Sequence, residues 1–318
     1  MTVIDTASVQ RPSPKGAAMD PAFRWASFSA ATILLLSLVG IIGSLAFGGW
    51  PALAKFGFGF FTSTDWNPVT DVYGAKGPII GTIVSAILAL VFALPLAFGV
   101  AVFLVEFCPG PLRRPIGIAV ELLAGIPSIV YGMWGLFVFA PLFAQKIQLP
   151  LMMAAKPGSL LDKLTAGVPN GANIFTASVI LAIMILPYMA AVLRELLLTV
   201  PTQLRESGYG MGSTPLEVVW SVSLPYIRRS AIGAVMLGLG RALGETMAVT
   251  FIIGNSHNLP KSLFDSGSTI ASTIANEFNE ATSPMHTSAL TALGLVLFMI
   301  TFIVLAGARA LLGSDKQA

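Results

Sequence analysis

The chain has 318 residues, of which 55% are hydrophobic and only 10% charged, with a formal net charge of +3. Soluble globular domains carry about 25% charged residues, so the soluble class is excluded, and a mean hydropathy of +0.82 agrees. The basic residues flank apolar segments rather than forming a patch, so nucleic acid is not an expected partner. The class is an integral membrane protein, with the lipid bilayer as its solvent.

Residues 1–24 form a polar tail containing Arg11, Pro12, Pro14, Lys15 and Arg24, which reads as disordered. The apolar run at 25–47 follows. It is longer than the 7–15 residues of a signal-peptide core, so an uncleaved anchor is preferred even though PALA at 51–54 resembles a cleavage site. Further apolar runs lie at 78–105, 116–144, 172–193, 230–253 and 287–308. A helix needs roughly 20 apolar residues to cross a bilayer. These runs are long enough, and too long and unbroken for barrel strands. The expectation is an all-α, polytopic fold of six transmembrane helices over residues 25–312, with a short tail at 313–318. Pro95, Pro127 and Pro187 fall inside runs and predict kinks.

Lysine and arginine placement sets the orientation. With the N-terminus inside, inner segments hold Arg11, Lys15, Arg24, Arg113, Arg114, Arg194, Arg205, Arg228, Arg229, Arg309 and Lys316. Outer loops, at about 48–77, 145–171 and 255–286, hold Lys55, Lys76, Lys146, Lys156, Lys163 and Lys261. Both termini are therefore expected in the cytoplasm. Cys108 is the single cysteine, so no intramolecular disulfide can form; it reads as a small buried or interfacial residue. His257 and His286 share one polar loop, and no metal site is expected there.

The inner loop at about 200–229 reads as a helix, a glycine-rich turn and a second helix presented to the cytoplasm, or as a plain interfacial connection. Glu206–Ser207–Gly208 is followed by Gly212 and then by Val222–Ser223–Leu224–Pro225. This spacing resembles the loop of bacterial ABC-importer permeases, which reads Glu-Ala-Ala, then Gly, then Ile-x-Leu-Pro. Small or conservative residues replace the two alanines and the isoleucine. The resemblance implies that Glu206, Ser207, Gly208, Gly212, Leu224 and Pro225 form a coupling loop docked on an ATP-hydrolysing subunit. ELLAGIPSIVYG at 121–132 and GLGRALGETMAV at 238–249 look like the phosphate importer permeases, of the PstC type. That likeness implies a homologous permease partner (PstA type), ATPase subunits (PstB type), an external phosphate-binding protein (PstS type) and a place in the bacterial inner membrane.

Arg241 and Glu245 raise the sharpest question, because they sit deep in an apolar run. On a continuous helix starting after Arg229, Arg241 would lie about 18 Å along and Glu245 about 24 Å. An arginine near the bilayer centre costs on the order of 2.5–3.5 kcal/mol and should face protein or a wet cavity. Glu245, four residues on, is the expected partner. Gly240 and Gly244 form a GxxxG step that would admit a neighbouring helix. The pair reads either as a buried salt bridge fixing register or as part of an anion path, in which the guanidinium donates to phosphate oxygens. The resemblance favours the path. Glu121 reads as an interfacial carboxylate or as a residue near the inner gate.

No GxxxxGK[ST] motif occurs in the chain, so ATP and Mg are expected on a partner and no cofactor on this chain. The expected function is the transmembrane, non-catalytic subunit of an ATP-driven phosphate importer. The alternatives are a permease for another oxyanion, such as sulfate or molybdate, or an ion-gradient-driven carrier using Arg241, Glu245 and Glu121 as a proton relay.

Overall fold

A computed structural model describes residues 20–313 of the chain. The N-terminal tail up to residue 19 and residues 314–318 of the C-terminal tail lie outside the described residues. The chain divides into two compact units, Met1–Phe47 and Gly48–Ala318. The described part of the first unit is the opening of a long helix, Asp20–Phe56, so the last five residues of the predicted tail are helical. Phe23, Trp25, Ile33, Leu34 and Leu35 stand exposed along it. Such a surface is stable only against hydrocarbon or another apolar helix.

Among the described residues, five helices are long and apolar enough to cross a membrane: Pro21–Phe56, Lys76–Phe107, Ser128–Ala154, Ile174–Leu198 and Pro284–Ala310. All five overlap expected spans. The core of the second unit is the packing of Lys76–Phe107 against Ile174–Leu198. Ala86, Ala89, Ala93, Ala97 and Ala101 recur every three or four residues and are all fully buried. This methyl stripe lets Ile180, Leu181, Met184 and Ile185 of the other helix approach closely. Pro187 is buried inside Ile174–Leu198 without ending it.

Two expected spans are corrected. The run at 116–144 is not one helix, because Gly110–Ala124 ends and Ser128 starts a new helix. Pro127 disfavours helical geometry at Ile126, and Pro127 itself is extended (ψ 137°), so the step breaks the helix rather than bending it. The run at 230–253 is likewise divided. One helix, Leu224–Leu243, stops at Gly244, and another, Met247–Ile252, begins after Thr246. Ala242, Leu243, Ala248 and Val249 around the gap are buried. Peptide groups freed by a break are tolerated at membrane depth only inside protein or beside water.

Residues 254–269 close the far end of the bundle. Ile174 N–H donates to the Asp265 carbonyl (3.2 Å) and Phe175 N–H to that of Leu263 (3.0 Å). Ile270 N–H donates to Thr82 Oγ1 (2.9 Å). Gly81 is required here: a Cβ at this position would lie 2.0 Å from the Ser268 carbonyl oxygen.

Beside this loop, the Glu277 carboxylate gathers Trp66, His257 and His286. Trp66, in a short hairpin pairing Trp66–Asn67 with Val72–Tyr73, donates Nε1–H to Glu277 Oε2 (2.8 Å). His286 Nε2 meets the same oxygen at 2.8 Å and His257 Nε2 meets Oε1 at 2.7 Å. Trp66 stacks on His257 and Tyr73 on His286. The two histidines thus converge on Glu277, at the wall of a cleft of about 370 Å³. Burial pushes the Glu277 carboxyl up, but the hydrogen bonds from His257, Trp66 and His286 outweigh it and hold it below its ordinary 4.5.

Two outcomes follow from this packing. Gly81→Val should cost at least about 1–3 kcal/mol, because a backbone carbonyl cannot yield as a side chain can; thermal unfolding of the purified chain in detergent measures it. Because folding lowers the Glu277 value, its contribution is present above the unfolded value near 4.5 and is lost as pH falls through the folded one. Glu277→Gln should therefore lower stability at pH 7 by about 1–3 kcal/mol and leave a smaller acid-induced loss than the parent shows.

Candidate functional site: the inner loop and the broken helix

The loop expected at 200–229 folds as a helix, a turn and a second helix. Thr202–Gly210 forms the first helix. Gly212 lies in the left-handed region (φ +88°), where only glycine is unstrained, and its N–H donates to the Tyr209 carbonyl (2.9 Å). Thr214 and Glu217 then exchange hydrogen bonds as a reciprocal cap for the helix starting at Pro215. That helix passes through a wide π turn, Val219–Ser223, and runs unbroken into Leu224–Leu243. The second half of the loop is thus continuous with the first half of the broken helix.

Within the loop, Gly208 is buried because a Cβ there would lie 3.0 Å from Val218 Cγ2. Ser207 Oγ donates back to the Gln203 carbonyl (2.7 Å) and Glu206 faces solvent. Leu224 is half-buried and Pro225, in the first turn of its helix, is exposed. The loop exposes large apolar side chains: Met211 is 82% exposed, and Leu204, Leu216 and Trp220 are also open. Such residues near a membrane protein's polar end fit a surface awaiting a partner.

Arg241 and Glu245 do not form the expected pair. The helix ends at Leu243, so they are not one turn apart on a common face. Among the described residues no ion pair joins them, and each charge has a different setting. Arg241 lies in the last turn of its helix, where the carbonyl dipoles favour a cation, and its guanidinium is 5.9 Å from the centre of the Tyr188 ring. Glu245 Oε1 accepts the Ala248 N–H (3.2 Å) at the start of the next helix. The break leaves Arg241 exposed and, among the described residues, in no ion pair with a carboxylate.

The expected glycine crossing is also displaced. A Cβ at Gly240 would sit 3.7 Å from Leu305 Cδ2, an ordinary contact, and Gly244 caps the helix end rather than facing another helix. The close approach occurs at Gly238, where a Cβ would meet Met189 Sδ at 2.7 Å. Glu121 is exposed on Gly110–Ala124, outside the membrane-length helices, and accepts from Arg194 Nη1 (3.1 Å). Arg194 also lies 3.5 Å from Glu195. Sequence reading missed this tie, since the partners are 73 residues apart.

Comparison with known proteins places this geometry. The family model "Binding-protein-dependent transport system inner membrane component" matches residues 95–312. The "Phosphate transport system permease protein PstC" of Pasteurella multocida is 52% identical over 290 residues, covering 91% of this chain and 90% of that protein. The protein of the same name from Mesorhizobium japonicum is 52% identical over 296 residues, covering 92% and 90%. "PstC 2" of Mycobacterium tuberculosis is 37% identical over 312 residues, covering 95% and 94%. Among solved structures, a bacterial ABC transporter involved in the import of alginate superposes with a TM-score of 0.60 over 94% of this chain and 98% of that one, at 13% identity. The MetNI methionine ABC transporter gives 0.54 over 74% and 94%, at 16% identity. These two share the fold. The matched range spans both the inner loop and the broken helix, and the chain is a member of the binding-protein-dependent transport system inner membrane component family.

Proposed function

We propose that this chain is the membrane subunit of an ATP-driven importer of inorganic phosphate, forming part of the path and coupling it to a separate ATPase. The observation that carries the reading is identity of about half over nine tenths of the chain with permeases named for phosphate transport. The loop geometry supports the coupling role. An exposed apolar knob, stiffened by a reciprocal cap and continuous with the broken helix, can pass a push from below to Arg241.

In this reading the chain hydrolyses nothing itself and binds no cofactor. ATP and Mg belong to a PstB-type ATPase docked under 200–229, a PstA-type permease completes the path, and a PstS-type protein delivers phosphate from outside. The termini and the loop face the cytoplasm, following the arginine bias. Phosphate entering the path meets the Arg241 guanidinium, which can donate two parallel hydrogen bonds to its oxygens. Tyr188 and the helix dipole hold the guanidinium without neutralising it. Glu245 serves the path indirectly, by capping the second half-helix and so fixing the gap beside Arg241.

Two substitutions separate path from docking. Arg241→Gln should lower phosphate uptake by at least about tenfold, since charge-assisted hydrogen bonds contribute about 1.5–3 kcal/mol, while the complex still assembles; uptake at the parental rate would make the arginine structural. Gly212→Asp adds charge to the knob and strains a left-handed position by about 1–2 kcal/mol; the ATPase should no longer co-purify with the membrane-inserted chain. Uptake of labelled phosphate against sulfate and molybdate discriminates the cargo.

A further inference from the structure

Glu106 lies at the last turn of Lys76–Phe107 and its side chain is only 5% exposed. A carboxylate this buried has to be paired. Its partners come from the first loop helix. The Arg205 guanidinium donates to Oε1 in a close ion pair, and the Tyr209 hydroxyl donates to Oε2 at 3.0 Å. Arg205 and Tyr209 are four residues apart, so both project from one face of Thr202–Gly210. Leu204, Ser207 and Met211 lie on another face and are exposed. Burial and the neighbouring carboxylate raise the Tyr209 phenol, so it stays a donor.

One contact would let the helix pivot. Two contacts a turn apart, made to the two oxygens of a single carboxylate, fix both its position and its rotation. On the side toward Val218, Gly208 allows close packing against the second loop helix. The loop thereby ties three helices together: covalently Ile174–Leu198 through its first half and Leu224–Leu243 through its second, and Lys76–Phe107 through Glu106.

We propose that Glu106 is a positioning residue for transport, clamping the coupling helix so that displacement of the docked ATPase moves the second span together with the broken helix. This rests on the docking reading above. Loss of the clamp would leave the ATPase bound and hydrolysing while the membrane half lags.

The test uses the full complex in proteoliposomes, measuring ATP hydrolysed per phosphate accumulated. Glu106→Gln should raise that ratio at least about fivefold, the lower end of typical coupling effects, with the ATPase still co-purifying. Tyr209→Phe, which removes one exposed hydroxyl, should raise it by a smaller factor and carries the test if Glu106→Gln fails to insert. Charge exchange, Glu106→Arg with Arg205→Glu, should recover part of the loss that each single change produces. An unchanged ratio in Glu106→Gln, or in Tyr209→Phe where Glu106→Gln does not insert, overturns the proposal. So does a proportional fall in uptake and hydrolysis, which marks a merely structural pair. Failure of the unsubstituted chain to retain an ATPase instead removes the docking reading.

Discussion

A peptide group that leaves a helix inside a bilayer has no water to receive its hydrogen bond, and each unsatisfied group costs several kcal/mol. Helix breaks at membrane depth therefore need protein or a wet cavity around them. This constraint organises the molecule. The break at Gly244–Thr246 sits among buried Ala242, Leu243, Ala248 and Val249, and Glu245 supplies an acceptor for one freed N–H. The alanine-striped second span and Ile174–Leu198 form the packed core against which the residues flanking the break are buried.

Separating the half-helices also separates their charges. On a continuous helix Arg241 and Glu245 would neutralise each other. Here each answers a helix end instead, the cation at carbonyl groups and the anion at N–H groups. The guanidinium stays exposed near the Tyr188 ring, while Glu245 accepts a backbone N–H of the next helix. A local backbone event thus replaces the expected salt bridge with two separately placed charges.

Much of this was legible in the sequence, because spans and loop spacing are local patterns. Apolar runs located all five membrane-length helices, and the spacing from Glu206 to Pro225 located the loop with its left-handed Gly212. What stayed hidden depends on few residues or on distant ones. The break occupies only three positions inside a run that averages as apolar. At 116–144, Pro127 was visible, but whether it bends or ends a helix depends on the surrounding packing. Glu106 falls just past the apparent end of its run and finds Arg205 99 residues away. Glu277 and Trp66 are 211 apart. No periodicity reports such pairings.

In the proposed function the chain is a conduit driven by an ATPase docked on its inner loop. The most direct measurement is phosphate accumulation in sealed vesicles holding the two permeases and the binding protein, with and without the ATPase and ATP. Accumulation that appears only with both, and stops when hydrolysis is blocked, is the expected result. Accumulation against a gradient by the permeases alone would contradict it.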